Sequence, residues 1–246
     1  MMLIVFLFLF LISLKFWGVF RKNRIMLITI DGPSGVGKGT VAKILEESLG
    51  YNYLDSGAMY RALALFADLH GVTAEDDSKK LKKILINLHI RFVNEENAQK
   101  VFINTDDVTD DIRTNEISKL ASQFAVNEIV RNVLKEMQRR LVKNKDYVAE
   151  GRDMGTYVFP YAENKFYLDA SPEIRARRRA LQLKEILGIN VNEERVLKEI
   201  NERDNLDMTR DICPLHPADD AVIINTSDLS INEVMKKIKT IVEQNA

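Results

Sequence analysis

Nine consecutive residues, Gly32-Pro33-Ser34-Gly35-Val36-Gly37-Lys38-Gly39-Thr40, carry the sharpest chemical signal in the chain. Their spacing is G-x-x-x-x-G-K. Glycines at such points open backbone angles closed to other residues and let N–H groups converge on an anion. Lys38 would then neutralise the outer phosphates. Four further stretches carry cations or a carboxylate that could complete a phosphate chemistry. Leu54–Arg61 (LDSGAMYR) puts Ser56 and Gly57 ahead of Arg61, a layout suited to cradling a monophosphate, since a guanidinium forks onto phosphate oxygens. The same residues also suit a capped helix with an exposed arginine. Glu150–Gly155 (EGRDMG) offers Arg152 and Asp153. Ile174–Arg179 (IRARRR) sets four arginines, Arg175, Arg177, Arg178 and Arg179, near a helix start, where they oppose the helix dipole. They read either as a mobile cover over a phosphoryl group or as a solvated basic face. Asn201–Arg210 adds Arg203, Asp207 and Arg210, by itself a weak signal.

The elements that must position these residues follow from periodicity. Leu27–Ile30 (LITI) is a short buried strand running into the glycine loop, and TVAKILEESLG behind it is a helix stopping at Gly50. A short strand, a turn at Asp55-Ser56-Gly57 and a helix to about Gly71 come next. A helix starting near Asp76 or Asp77 follows. Residues 90–111 read as two extended runs around a polar turn, a hairpin rather than a crossover. Helical spacing then runs from Asn115 to Leu141. Tyr147–Gly151 and Lys165–Ala170 are further strands, and the arginine helix begins with Ser171 at its cap and Pro172 at its first position. Another helix, the strand AVIINTS and a closing helix complete the chain. Strands alternating with helices predict an α/β fold, a parallel sheet covered on both faces, with the hairpin standing outside it as a sub-domain. Arg152 and Asp153 then fall at the carboxyl end of a strand, where such sheets bind ligands.

Bulk composition narrows the classes. The 246 residues suit one domain, and 46% hydrophobic with 29% charged residues are the proportions of a folded soluble protein. A net charge of -1 gives no field for nucleic acid. One cysteine excludes an internal disulfide, and three scattered histidines make no zinc pattern. The first two dozen residues are strongly apolar and end in Arg21-Lys22-Asn23-Arg24, with Met26 directly before the first strand. Two readings stand: a start placed too far upstream, or a membrane anchor leaving the remainder in the cytoplasm. The catalytic part is expected to be cytoplasmic under both.

Taken in order, IDGPSGVGKGT, LDSGAMYRALAL, IRTNEISKLASQFA, GRDMGTYVFP, KFYLDASPEIRARRR and NERDNLDMTRDICPL resemble the bacterial cytidylate kinase family of nucleoside monophosphate kinases, from about Leu27 almost to the C-terminus. The GKGT ending, with Gly39 where other phosphate loops carry Ser or Thr, is also similar to that group. The resemblance implies a P-loop three-layer fold with a kinase domain over 26–246, a monophosphate-binding insert at about 56–145 and a helical lid at about 171–210. Residues 1–25 form an extension without counterpart. It implies that Gly32 to Thr40 hold ATP, that Arg61, Arg152 and Arg203 pair with the acceptor phosphate near Ser56, and that Asp207 and Arg210 face the ribose. Ser122, Arg131 and Asp153 would read the base. Lys38, Arg175, Arg178 and Arg179 would serve the transfer itself. Magnesium would be held mainly by phosphate oxygens and water, without a dedicated protein metal site.

The expected activity is transfer from ATP to CMP and dCMP, in a monomer. An Asp can accept from the 4-amino group of cytosine while Arg donates to its acceptors. The acceptor phosphate, with a second pKa near 6, is mostly a dianion at pH 7 and needs no general base. The alternatives are a kinase for UMP or AMP, and a membrane-tethered nucleotide sensor without transfer.

Overall fold

A computed structural model describes residues 25–95, 98–188 and 191–245. The apolar run at 1–24, with its two readings, lies outside the described residues. Among the described residues no helix is long and apolar enough to cross a membrane.

Five parallel strands form the central sheet: β1 (Leu27–Asp31), β2 (Asn52–Asp55), β6 (Tyr147–Gly151), β7 (Asn164–Asp169) and β8 (Val222–Asn225). Their order is β2-β6-β1-β7-β8, with Ile30 opposite Glu150 on one side and Phe166 on the other. β1 is buried at every position, as a central strand covered on both faces must be. Helices α1 (Lys38–Leu49), α2 (Ser56–Leu69), α3 (Ser78–Leu85), α4 (Asn115–Phe124), α5 (Glu128–Leu141), α6 (Pro172–Leu187), α7 (Glu193–Thr209) and α8 (Ile231–Asn245) surround it. One face packs Leu54, Met59, Leu63, Phe124, Leu134 and Phe159. The other packs Ile28, Ile30, Val41, Leu45, Phe166 and Ile238. A third, small cluster joins α6 to α7 through Ala176, Ala180, Val196 and Ile200.

Three details depart from the sequence reading. The helical run 115–141 is broken into α4 and α5, because the Asn127 side chain accepts from the N–H of Ile129 at 3.0 Å and so caps a new helix. The hairpin β3 (Ile90–Glu95) and β4 (Ala98–Ile103) gains a third strand of two residues, β5 (Asp106–Asp107). This small antiparallel sheet stands apart from the parallel one and buries Val101 and Ile103 among side chains of α2 and α3. No turn precedes α2. β2 ends at Asp55, whose carboxylate caps the helix by accepting from Ala58 N–H at 2.8 Å.

Candidate active site

The loop between β1 and α1 lies at the carboxyl edge of the sheet. Gly32 has φ +147°, and a β-carbon there would stand 2.1 Å from the Leu168 carbonyl oxygen of β7, so only glycine lets the chain leave the strand here. Lys38, buried at the head of α1, curls back so that Nζ donates to the Gly32 and Pro33 carbonyls, both at 2.8 Å. Burial, with the charges of Arg152 and Arg203, draws its pKa down to about 7. Gly39, where other phosphate loops carry a hydroxyl residue, faces the end of the Glu150 side chain. A β-carbon there would be 2.9 Å from Glu150 Oε1, which is held by the Tyr53 hydroxyl. Thr40 is exposed one position on.

Across the sheet edge stand the cations expected for the second anion. Arg61, one turn into α2, pairs with Asp55 at 3.1 Å. Arg152, directly after β6, donates from Nε to Asp207 Oδ2 at 2.8 Å, and Arg210 Nη1 donates to the other oxygen at 3.3 Å. Arg203, on α7, feels the positive charges of Arg152 and Arg61, and burial together with them lowers its pKa to about 10. Arg61 Nε, Arg203 Nε and Arg210 Nη2 are buried donors without a hydrogen-bond partner among the described residues. Ser56 is buried close by, its hydroxyl 2.5 Å from where a side chain on Gly151 would begin.

Beside this cluster, Arg131 and Asp153 form a buried pair, Nη1 to Oδ2 at 2.7 Å. Arg131 Nε donates to Ala125 O at 2.6 Å, and its guanidinium lies 5.8 Å from the Tyr60 ring centroid. Ser122, half-buried on α4, hydrogen-bonds the Ser118 carbonyl of its own helix at 3.2 Å and makes no hydrogen bond to Arg131 or Asp153.

The lid arginines divide. Arg179 is the one in the field of Arg61; burial and that charge lower its pKa, and Nη1 donates to Gln182 at 2.8 Å. Arg178 instead ties α6 to the sheet, donating to Thr226 O at 2.6 Å and Thr226 Oγ1 at 3.0 Å. Arg175 takes a third place. It is buried beneath the loop, donating to Ala170 O and Ser34 O at 2.9 Å each and to the Asp204 carboxylate.

Sequence reading missed three acidic residues. Asp31 closes β1 and accepts the N–H groups of Met154 at 2.9 Å and Gly155 at 2.7 Å, so one carboxylate fixes the Arg152-Asp153 turn against the phosphate loop. Burial raises its pKa to about 6. Glu150 and Asp204 are the others. Asp31 borders the loop signature directly and was findable; Asp204 was one acid among many on a charged helix.

For magnesium, no group of three or more His, Cys, Asp or Glu comes together among the described residues. Asp31 and Glu150 lie within electrostatic reach of Lys38 but already accept from Met154, Gly155 and Tyr53. Such carboxylates fit a hydrated Mg²⁺ borne on substrate phosphates, the usual manner for that ion.

The family model described as "Cytidylate kinase" matches residues 28–244. The chain is 46% identical over 217 residues to the cytidylate kinase of Fervidobacterium nodosum, covering 88% of this chain and 96% of that one. It is 48% identical over 219 residues to the cytidylate kinase of Nitrosococcus oceani, covering 88% and 96%. Among solved structures, the shikimate kinase of Bacteroides thetaiotaomicron aligns over 89% of this chain and 99% of its own, at 12% identity and a TM-score of 0.46.

Proposed function

The chain belongs to the cytidylate kinase family, and from that premise we infer that it transfers the terminal phosphoryl group of ATP to CMP and dCMP, giving CDP and dCDP, by direct in-line displacement. The observation that carries this reading is the guanidinium cluster. Arg61, Arg152 and Arg203 converge with only Asp55 and Asp207 paired to Arg61 and Arg152, and buried donors of Arg61 and Arg203 have no hydrogen-bond partner among the described residues. Like charges at such a site are costly unless an anion joins them. A nucleoside monophosphate supplies a dianion of the right size.

In this mechanism residues 32–40 hold the ATP phosphates and Lys38 leaves its loop carbonyls to follow the migrating charge. Arg61, Arg152 and Arg203, with Ser56, orient the acceptor phosphate. Asp207 and Arg210 face the ribose. Arg131 and Asp153 read cytosine, whose amino group a carboxylate accepts and whose uracil counterpart, an oxygen, it repels. Ser122 reaches the base by exchanging its helix bond. Arg179 closes over the transferring group, while Arg175 and Arg178 act at a distance by anchoring α6. No general base is needed, and catalysis comes from positioning and charge stabilisation. Mg²⁺, carried on the phosphates, supplies further charge neutralisation.

The small apolar seam between α6 and α7, separate from the two main clusters, supports treating 171–210 as a lid that moves as one piece within the kinase domain 26–246, with 56–145 as the acceptor insert. We take the protein to work as a cytoplasmic monomer on small nucleotides. The deciding experiment is a panel of CMP, dCMP, UMP and AMP with ATP and magnesium. ADP should form fastest with CMP and dCMP. Equal or faster turnover of AMP or UMP would overturn the base assignment, and no turnover of any acceptor would overturn the kinase reading.

A further inference from the structure

The phosphate loop is gripped from outside by a pair that touches neither substrate in the transfer mechanism. Ser34, third residue of the loop, has both sides of its backbone engaged. Its N–H donates to Asp204 Oδ1 at 2.9 Å, and its carbonyl accepts from Arg175 Nη1 at 2.9 Å. Arg175 and Asp204 are themselves a buried ion pair, 4% and 5% exposed, reaching in from α6 and α7. The neighbouring Gly35 rests in the corner between those helices, since a β-carbon there would stand 3.2 Å from the Arg175 carbonyl oxygen and 3.5 Å from Ile200 Cδ1.

We propose that Asp204 is a positioning residue which, with Arg175, clamps the Ser34 peptide and so sets the phosphate loop according to the placement of the α6–α7 pair. A loop with glycines at 32, 35 and 37 has much backbone freedom to lose when it binds a triphosphate. Fixing one peptide on both sides removes part of that loss before the ligand arrives. It also joins the two parts mechanically, because the groups that hold the loop belong to the helices that carry Arg179 and Arg203. Arg203 directly precedes Asp204 on α7, so a shift of that helix moves an acceptor-site guanidinium and the loop clamp together. The clamp lies on the protein side of the loop. Its loss should therefore be felt in triphosphate affinity rather than in the chemistry of either substrate.

The inference rests on the loop being the ATP site, and its test separates the two ideas. Two variants are compared with wild type for affinity toward a non-hydrolysable ATP analogue with magnesium, by titration calorimetry, and for KM of each substrate. Asp204→Asn keeps an oxygen for the Ser34 N–H but loses the charge; ATP affinity should fall about threefold. Arg175→Met with Asp204→Leu removes the clamp while replacing a buried ion pair by apolar contacts, an exchange that often preserves stability. It should melt near the wild-type temperature, yet lose ATP affinity about tenfold with KM for CMP within twofold. Wild-type ATP affinity in a folded variant overturns the clamp, and so does an equal loss for ATP and CMP, which would mark a merely structural pair. Should the double variant fail to fold, Asp204→Asn decides alone by the same two criteria. If wild type itself does not bind the analogue, the reading of the loop has failed instead.

Discussion

At the proposed triphosphate end the groups that would hold the anion come from one stretch of backbone, residues 32–40, held by neighbours that touch it from behind. At the proposed acceptor end the polar groups are side chains delivered from four elements: Arg61 from α2, Arg131 from α5, Arg152 and Asp153 from the turn after β6, and Arg203 and Arg210 from the α7 region. The first design spends backbone conformations that only glycine adopts. The second concentrates like charges and leaves buried donors unsatisfied. A backbone cradle recognises phosphate and little else, whereas an array of side chains can also include a buried pair such as Arg131–Asp153, the proposed reader of the base.

The largest expected effect tests the one side chain the backbone cradle relies on. Lys38→Ala should lower kcat by about 10³-fold, the scale of losing a group aimed at developing charge, without unfolding the protein. The readouts are ADP formation in a coupled assay and the circular dichroism melt. A kcat within tenfold of wild type would remove Lys38 from the transfer step and leave the backbone sufficient by itself.

At the acceptor end the effect should be smaller and differently distributed. Asp153→Asn should erase a preference for CMP over UMP of roughly 10- to 100-fold, the worth of one buried polar group left unpaired. Arg203→Ala should instead raise KM for CMP and UMP together, leaving their ratio alone. Comparing kcat/KM ratios for both variants tells phosphate grip from base choice. If Arg203→Ala changes the ratio as much as Asp153→Asn, the two functions are not separable.

The same contrast explains what could be read from sequence. The phosphate loop was legible because its determinants are contiguous, and the five parallel strands because each is a short apolar run between breakers. Arg61 and Arg152 were legible as arginines beside strand ends. The pairing of Arg175 was not legible: at the head of a helix among four arginines it carries no local sign of Asp204, a partner 29 residues away on the next helix. The break between α4 and α5 hid for a similar reason, since Asn127 interrupts the helical bonds without disturbing the apolar spacing on either side. Asp31, one position before the glycine loop, could have been found by asking what holds the loop's first peptide. Its actual partners, Met154 and Gly155, appear only when β1 and β6 lie side by side.

The smallest effect is one of pH, and it too should differ between the two ends. Lys38 has its pKa drawn to about 7 by burial and by the charges of Arg152 and Arg203. A triphosphate beside it favours the charged form and raises that value, so the bound state holds more protons than the free one at pH above 7. The sign is then fixed: ATP binding takes up a proton between pH 7 and 9, and affinity weakens as pH rises, by at most about tenfold per unit. Calorimetry at pH 8 in two buffers of different ionisation enthalpy measures the uptake directly, and Lys38→Ala should abolish it. Arg203, lowered only to about 10, stays charged through most of this range, so CMP binding should change much less between pH 7 and 8.5. Proton uptake equal for both nucleotides would mean that the lysine and the arginines titrate as one cluster, and the division between backbone cradle and side-chain array would be electrostatically void.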